Sequence, residues 1–490
     1  MEFTKSKSIW RKTVSIPERK PLQGIDYAEV AVIGGGMAGL LTAYFLQKRG
    51  KKVVVLEAAR IGSGQTENTT AKITSQHGLV YTSLKRKYGM EKARLYAQAH
   101  QEAVEEYQKL IDEEGFDCHF ERLPSFLYSK TEEESLKQEA ETARRLGIPA
   151  SFVTKTELPF PIKGAVVFEN QAQFHPLEFM KQLAEKLTIY EQTSVLRVKG
   201  HSLETNHGTL HADYVVFATH YPFPNVPGFY FARQHQERSY VLTLSNVPKW
   251  NGMFYSEDPD GLSLRWFEDK LLLGGGGHRT GTWPKKGKGY AAYGYSQLMR
   301  QAAELFPKAH LEAFWSAQDC MTQDDLPFIG NFSVFRTNWY IISGLKKWGM
   351  TGAMVSARIL CDKICKENSP YTKLFAPWRF PFSISAKKLR KDLKYSVTGL
   401  IKGHFHLPLR GKLPEKGKAC ILRKGFRRFG VYRDSEGKLH WVSVKCPHLG
   451  CELVWNMEEK SWDCPCHGSR FDYDGRLLDN PAQKGVKRNI

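Results

Sequence analysis

Residues 28–58 read AEVAVIGGGMAGLLTAYFLQKRGKKVVVLEA. The pattern predicts a short buried strand over 30–33, a helix over 37–49 and a second strand over 53–56. Gly34, Gly36 and Gly39 form G-x-G-x-x-G between the first strand and the helix, and Glu57 ends the second strand. Each piece has a physical task. Gly34 permits the tight turn, Gly36 lets the backbone approach a pyrophosphate, and Gly39 allows close helix packing. The helix N-terminus faces the phosphates, and Glu57 can accept a ribose hydroxyl. This commits the chain to an α/β dinucleotide-binding unit.

Further periodic segments extend that unit. Helices are expected over 91–114 and 131–146, and a helix rich in small residues over 349–361. Apolar runs over 213–219, 271–273 and 339–343 read as strands. Strands interleaved with helices continue to about residue 370. Gly274 to Gly277 is a glycine run, but Arg279 stands where a third motif glycine would be needed. A second nucleotide site for NAD(P)H is therefore disfavoured.

The cysteines point to a second chemistry. Of nine, four lie within residues 446–466. They occur as Cys446-Pro-His448-Leu-Gly-Cys451 and Cys464-Pro-Cys466-His467-Gly-Ser469, with fifteen residues between His448 and Cys464. Each loop offers one thiolate and one imidazole. A zinc finger pairs cysteine with cysteine and histidine with histidine, whereas here each loop mixes the two. The mixed pattern suits a [2Fe-2S] cluster with Cys446 and Cys464 on one iron and His448 and His467 on the other, which is Rieske ligation. Cys451 and Cys466 remain over, one in each loop, as a bridge or as two free thiols.

Residues 27–370 resemble the D-amino-acid oxidase and glycine oxidase superfamily of FAD enzymes. The resemblance rests on GSGQTENTTAKITSQHG, VVFATHYPF, DDLPFIG and GLKKWGMTGA. It implies that the late glycine segment covers the flavin, so that Gly344, Gly349, Met350 and Thr351 are flavin-region residues. Lys346, Lys347 and Trp348 replace that segment's usual aromatic-glycine-histidine. Cys320 lies near the flavin-linking cysteine of monomeric sarcosine oxidases, with spacing about two residues short; a plain buried cysteine is the expectation. Residues 415–490 resemble respiratory-type Rieske domains, which implies a Cys451–Cys466 disulfide and a Ser469 hydroxyl donating to a cluster sulfur. Where that family often carries tyrosine, this chain has Phe471. One donor retained and one lost implies an intermediate potential.

Together these resemble bacterial FAD-dependent oxidoreductases fused to a C-terminal Rieske domain. The implied architecture is an α/β FAD-binding module of the glutathione-reductase Rossmann type, interleaved with an α+β substrate domain, followed by a small all-β domain. The expected division is an irregular arm at 1–27, the FAD module at 28–370, a linker at 371–415 and the Rieske domain at 416–490. The implied function is a dehydrogenase of an amine or amino acid, passing electrons from FAD to the cluster and on to a protein or quinone acceptor. An electron-transfer module without a small-molecule substrate, or a redox sensor, are the alternatives. The pattern names no catalytic base. Arg265 and Arg279 are candidates for holding a substrate carboxylate, and Lys72 is a candidate near the flavin; each is expected more often to be structural.

The 490 residues carry a net charge of +20, and residues 381–430 hold 14 Lys and Arg against 2 Asp and Glu. With four prolines over 371–415, this stretch reads as a solvated basic linker, with no nucleic-acid partner expected. Leu389, Leu393, Val397, Leu400 and Ile401 fall at helical spacing within it. Packing on the protein's own body is the expected use of that stripe, ahead of a membrane-surface contact. His404 and His406 read as solvated. No run reaches the ~18 apolar residues of a membrane span and no secretory leader is visible, so a cytoplasmic location is expected. Glu204, His207 and His211 match a two-histidine, one-carboxylate iron pattern, with Asp213 nearby, but Asn206-His207-Gly208 reads as a hairpin turn and the motif as a coincidence.

Overall fold

The computed structural model describes residues 6–282, 294–379, 412–424 and 427–487. Its first sheet runs in the order Phe328–Ser333, Arg336–Ser343, Gly208–Phe217, Gly24–Ile33, Val53–Leu56, Ile189–Tyr190. Gly24–Ile33 pairs in parallel with both of its neighbours. Its fully buried end, Val30 to Ile33, is the apolar run read from sequence. The strand starts six residues earlier than that run because its exposed beginning still pairs with Gly208–Phe217. Helix Met37–Lys48 follows the glycine turn and packs on helix Gly349–Ile364, whose face is almost wholly buried small and apolar residues.

The second sheet takes strands from between those of the first, in the order His310–Thr322, Gln234–Ser245, Lys270–Arg279, Ser263–Phe267, Met253–Ser256, Glu121–Ser129, Gly164–Gln173, Lys72–Ile73. The glycine run Gly274 to Gly277 lies inside one of these strands, paired with Gln234–Ser245. Ser202–Thr205 and Gly208–Phe217 form an antiparallel hairpin with exposed His207 in its turn.

The N-terminal residues depart from the irregular arm that the sequence suggested. Helix Ile9–Thr13 docks on the body, and Trp10 is fully buried. Its ring meets His175 and Phe267 edge-on, each at 4.9 Å, and its indole N–H donates to the Thr69 carbonyl at 2.7 Å. Truncation of such a residue costs ~3–5 kcal/mol.

The C-terminal part is all-β. One sheet joins Ala419–Lys424, Arg427–Arg433 and Leu439–Ser443; the other joins Val454–Asn456, Ser461–Asp463, Arg470–Asp472 and Leu477–Asp479. Val442, Leu453, Trp462 and Phe471 pack around the four cysteines of the two motif loops. The apolar stripe from Leu389 to Ile401, with His404 and His406, lies outside the described residues.

Candidate cofactor sites

The glycine turn is built for close approach. Gly34 has φ +112°, and a Cβ there would stand 2.5 Å from the Ala218 carbonyl oxygen. A Cβ on Gly39 would collide with the Gly34 carbonyl, so the helix sits directly on the turn. No acidic side chain occupies the first turn of helix Met37–Lys48, which suits an anionic group at its N-terminus. The Met37 N–H donates to Thr66 Oγ1 at 3.2 Å. Glu57 accepts the Gly35 N–H at 2.6 Å and the Ala59 N–H at 2.8 Å. Burial pushes its pKa up, and those amides pull it back. Each carboxylate oxygen keeps a second lone pair for a hydroxyl. This donor and acceptor set fits FAD.

The segment after the second strand meets the late glycine segment. Thr351 Oγ1 donates to the Thr74 carbonyl at 3.0 Å, and Trp348 stacks on His77 at 4.7 Å. His77 is buried, which holds its pKa well below the usual value. Gly344 has φ +70° and leads into helix Gly349–Ile364, which carries Gly349, Met350 and Thr351 in its first turn. Cys320 is buried beside the Ser343 hydroxyl, and burial pushes its thiol up to about 12.

The two cysteine loops close with the same bond: the Gly450 N–H donates to the Cys446 carbonyl and the Gly468 N–H to the Cys464 carbonyl, each at 2.9 Å. Cys446 and Cys464 are buried free thiols, and Cys451 and Cys466 form a disulfide. The sulfurs of Cys451, Cys464 and Cys466 lie within 4.8 Å of one another, but the disulfide takes two of them out of any ligand set. Hydrogen bonding to Cys464 lowers the Cys446 pKa against the effect of burial, aided by backbone N–H groups and the Ser469 hydroxyl; Cys464 is raised in turn. The His448 and His467 rings stand 4.9 Å apart at 88°. His448 Nδ1 is buried with no hydrogen-bond partner, while Nε2 lies 2.8 Å from Asn225 Oδ1. An imidazole with one nitrogen held and the other open, beside two buried thiols, fits a metal cluster.

The cluster loops face the second sheet. Gln236 Nε2 donates to the His467 carbonyl at 3.1 Å and the Asn480 carbonyl at 2.8 Å; Gln318 Nε2 donates to the Gly468 carbonyl at 2.9 Å. Asn480 Nδ2 returns a bond to the Thr219 carbonyl at 2.8 Å. A Cβ on Gly468 would lie 2.6 Å from the Gln236 Cβ, so glycine permits this contact. Arg238, 2% exposed, bonds Glu459 through Nε and Nη2. Sequence reasoning missed Asn225, Gln236, Gln318 and Arg238. Their partners in the C-terminal part lie 150 or more positions away in the chain, so no local signal announced them.

The other candidates resolve differently. Arg265 is 1% exposed and donates to the carbonyls of Thr70, Ala71 and Phe174 while lying over the Trp10 ring. It is a structural clasp. Arg279 Nη2 reaches the Cys466 carbonyl at 3.4 Å, placing it at the boundary between the domains. Lys72 Nζ donates to the Phe254 carbonyl and to Ser263 Oγ, and burial lowers its pKa to about 7, with Arg265 adding to the shift.

The profile of the family described as "FAD dependent oxidoreductase" matches residues 29–363, and that of the Rieske [2Fe-2S] domain matches residues 411–489. The chain belongs to the FAD-dependent oxidoreductase family and carries a Rieske [2Fe-2S] domain at its C-terminal end. It is 36% identical to the putative Rieske 2Fe-2S iron-sulfur protein YhfW of Bacillus subtilis, over 98% of this chain and 96% of that one. It is 25% identical to gamma-glutamylputrescine oxidoreductase of Escherichia coli, over 39% of this chain and 48% of that one. The crystal structure of glycine oxidase from Geobacillus kaustophilus superposes with TM-score 0.61 at 20% identity, covering 72% of this chain and 99% of that one. Its cofactors are accordingly FAD and a [2Fe-2S] cluster. Among the described residues, no helix is long and apolar enough to cross a membrane.

Proposed function

We propose that the chain is an amine dehydrogenase whose electrons leave FAD through its own Rieske cluster toward an external protein or quinone acceptor. In this reading Gly34, Gly36, Gly39 and Glu57 hold the nucleotide end of FAD, and Gly344, Gly349, Met350 and Thr351 lie against the flavin. Cys446, Cys464, His448 and His467 ligate the cluster. When bound, FAD would supply an acceptor for hydride from a carbon next to nitrogen, and the [2Fe-2S] cluster would supply a one-electron carrier.

The observation that carries the proposal is the two-faced strand Gln234–Ser245. On one face, Glu237 and Ser239 meet Lys347 of the late glycine segment, at 3.7 and 2.9 Å. On the other, Gln236 bonds the His467 carbonyl and Arg238 bonds Glu459. One strand thus carries the late glycine segment on one face and the His467 loop on the other, which supports a short path between flavin and cluster.

The flavin-side face also bears on the substrate. Lys347 Nζ lies 3.0 Å from Asp319 and 3.7 Å from Glu237. Burial opposes the charge on Glu237, but His235 and Lys347 hold its pKa down at about 2. Asp319 and Glu237 offer carboxylates on this face to a cationic amine, offset in part by Lys347 and Arg279. A free amino acid would call for a guanidinium, but that of Arg265 is spent on backbone carbonyls and that of Arg279 reaches the Cys466 carbonyl. The E. coli relative, by its name an oxidoreductase of gamma-glutamylputrescine, supports the same class.

Anaerobic reduction of the iron- and flavin-loaded protein by a panel of amines and amino acids tests this, with flavin absorbance and the Rieske EPR signal followed together. The proposal expects an amine to bleach the flavin and the cluster signal to follow. Reduction only by NADH, NADPH or a reduced protein would overturn it in favour of an electron-transfer module.

A further inference from the structure

One residue of the FAD half meets a candidate cluster ligand at a specific atom. An imidazole that binds a metal through Nδ1 keeps its proton on Nε2 and needs an acceptor there. In the structure the buried, unpartnered nitrogen of His448 is Nδ1, and Nε2 stands 2.8 Å from Asn225 Oδ1. Asn225 belongs to the segment that follows strand Gly208–Phe217. It is steadied there by its own carbonyl, which accepts the Phe229 N–H at 2.9 Å. From the same segment, Phe231 lays its ring edge-on to both His448 and His467, at 6.4 and 5.9 Å. The Rieske fold alone supplies neither group.

We infer that Asn225 is a positioning and tuning residue for the cluster, so that the FAD module sets the potential of the centre that receives its electrons. This rests on the reading above that His448 is an iron ligand. A carbonyl accepting the outer N–H of a ligating histidine makes the ring a stronger donor and favours the more oxidised metal. Docking of the two halves therefore holds the cluster potential below the value it would have with His448 Nε2 unbonded. It also places a residue of the chain's own FAD half against the His448 edge of the cluster.

The test is a redox titration of the full-length, iron-loaded protein by EPR, comparing wild type, Asn225→Leu and Asn225→Asp. Leucine removes the acceptor and excludes water, so the midpoint should rise. Aspartate is a near-isosteric, stronger acceptor, so the midpoint should fall. Where the Leu variant loses iron, Asn225→Ala takes its place. Opposite shifts with retained iron and a retained Rieske spectrum support the inference. A shift in Asp alone is a charge effect and overturns it, as do two shifts of one sign or none. Absence of a Rieske spectrum in the iron-loaded wild type would instead defeat the ligand assignment beneath it.

Discussion

Arg238 of the second sheet and Glu459 of the Rieske domain form a buried two-point ion pair, Nε to Oε2 at 3.1 Å and Nη2 to Oε1 at 2.6 Å. Arg470 lies 3.0 Å from Glu459 and also pairs with Asp463 and Asp479, so the pair belongs to a network spanning both halves of the protein. Breaking one member of a buried pair leaves an uncompensated charge and costs ~3–5 kcal/mol. Arg238→Met should lower the thermal unfolding midpoint and expose the cluster loops to limited proteolysis. Unchanged melting and cleavage would show that the network contributes nothing to docking.

The same network sets an acid limit. Burial works against the Glu459 carboxylate, but Arg238 and Arg470 hold its pKa at about 2. The unfolded value is ~4.3. A depressed carboxylate contributes stability that is complete above the unfolded pKa and is lost as pH falls toward the folded one. The Glu459 contribution should persist at pH 5 and disappear between about pH 4 and pH 2. Comparing unfolding of wild type and Glu459→Gln across that range measures it: the difference should be constant above pH 5 and shrink below pH 4.

Phe471 is fully buried among the cluster cysteines, and the Ser469 hydroxyl helps to lower the pKa of Cys446. Phe471→Tyr adds a second hydroxyl near the sulfurs, and donors there stabilise the added electron. The cluster midpoint should rise in this variant. A fall or no change, with iron content retained, would contradict that explanation.

The Cys451–Cys466 disulfide closes a segment of 15 residues and ties the two cluster loops. In the chain-entropy account such a closure is worth ~3 kcal/mol. The double variant Cys451→Ser, Cys466→Ser should lose iron faster to a chelator and unfold at lower temperature. Equal chelation rates would show that the FAD half alone holds the loops.

The local frameworks of both candidate cofactor sites were legible in the sequence. The glycine turn, the mixed C-x-H and C-x-x-H loops and the Asn206-His207-Gly208 turn each depend on residues close in the chain, and each forms the loop or turn expected of it. The short view failed where partners are remote. Trp10 is buried by residues more than 150 positions away, so a twenty-residue view reads its helix as an irregular arm. Asn225 and His448 are 223 residues apart, and nothing near either announces the other. Arg265 has the structural role expected ahead of a carboxylate site, although the distant carbonyls that hold it could not be named from the sequence.

The most direct measurement of the central claim is a single-turnover, anaerobic mixing experiment with a reducing amine, in which cluster reduction is timed at several protein concentrations. Passage of electrons across one strand within one chain predicts a cluster signal that follows flavin bleaching at a rate independent of protein concentration. A rate that scales with concentration, or a bleached flavin beside an oxidised cluster, would contradict the account.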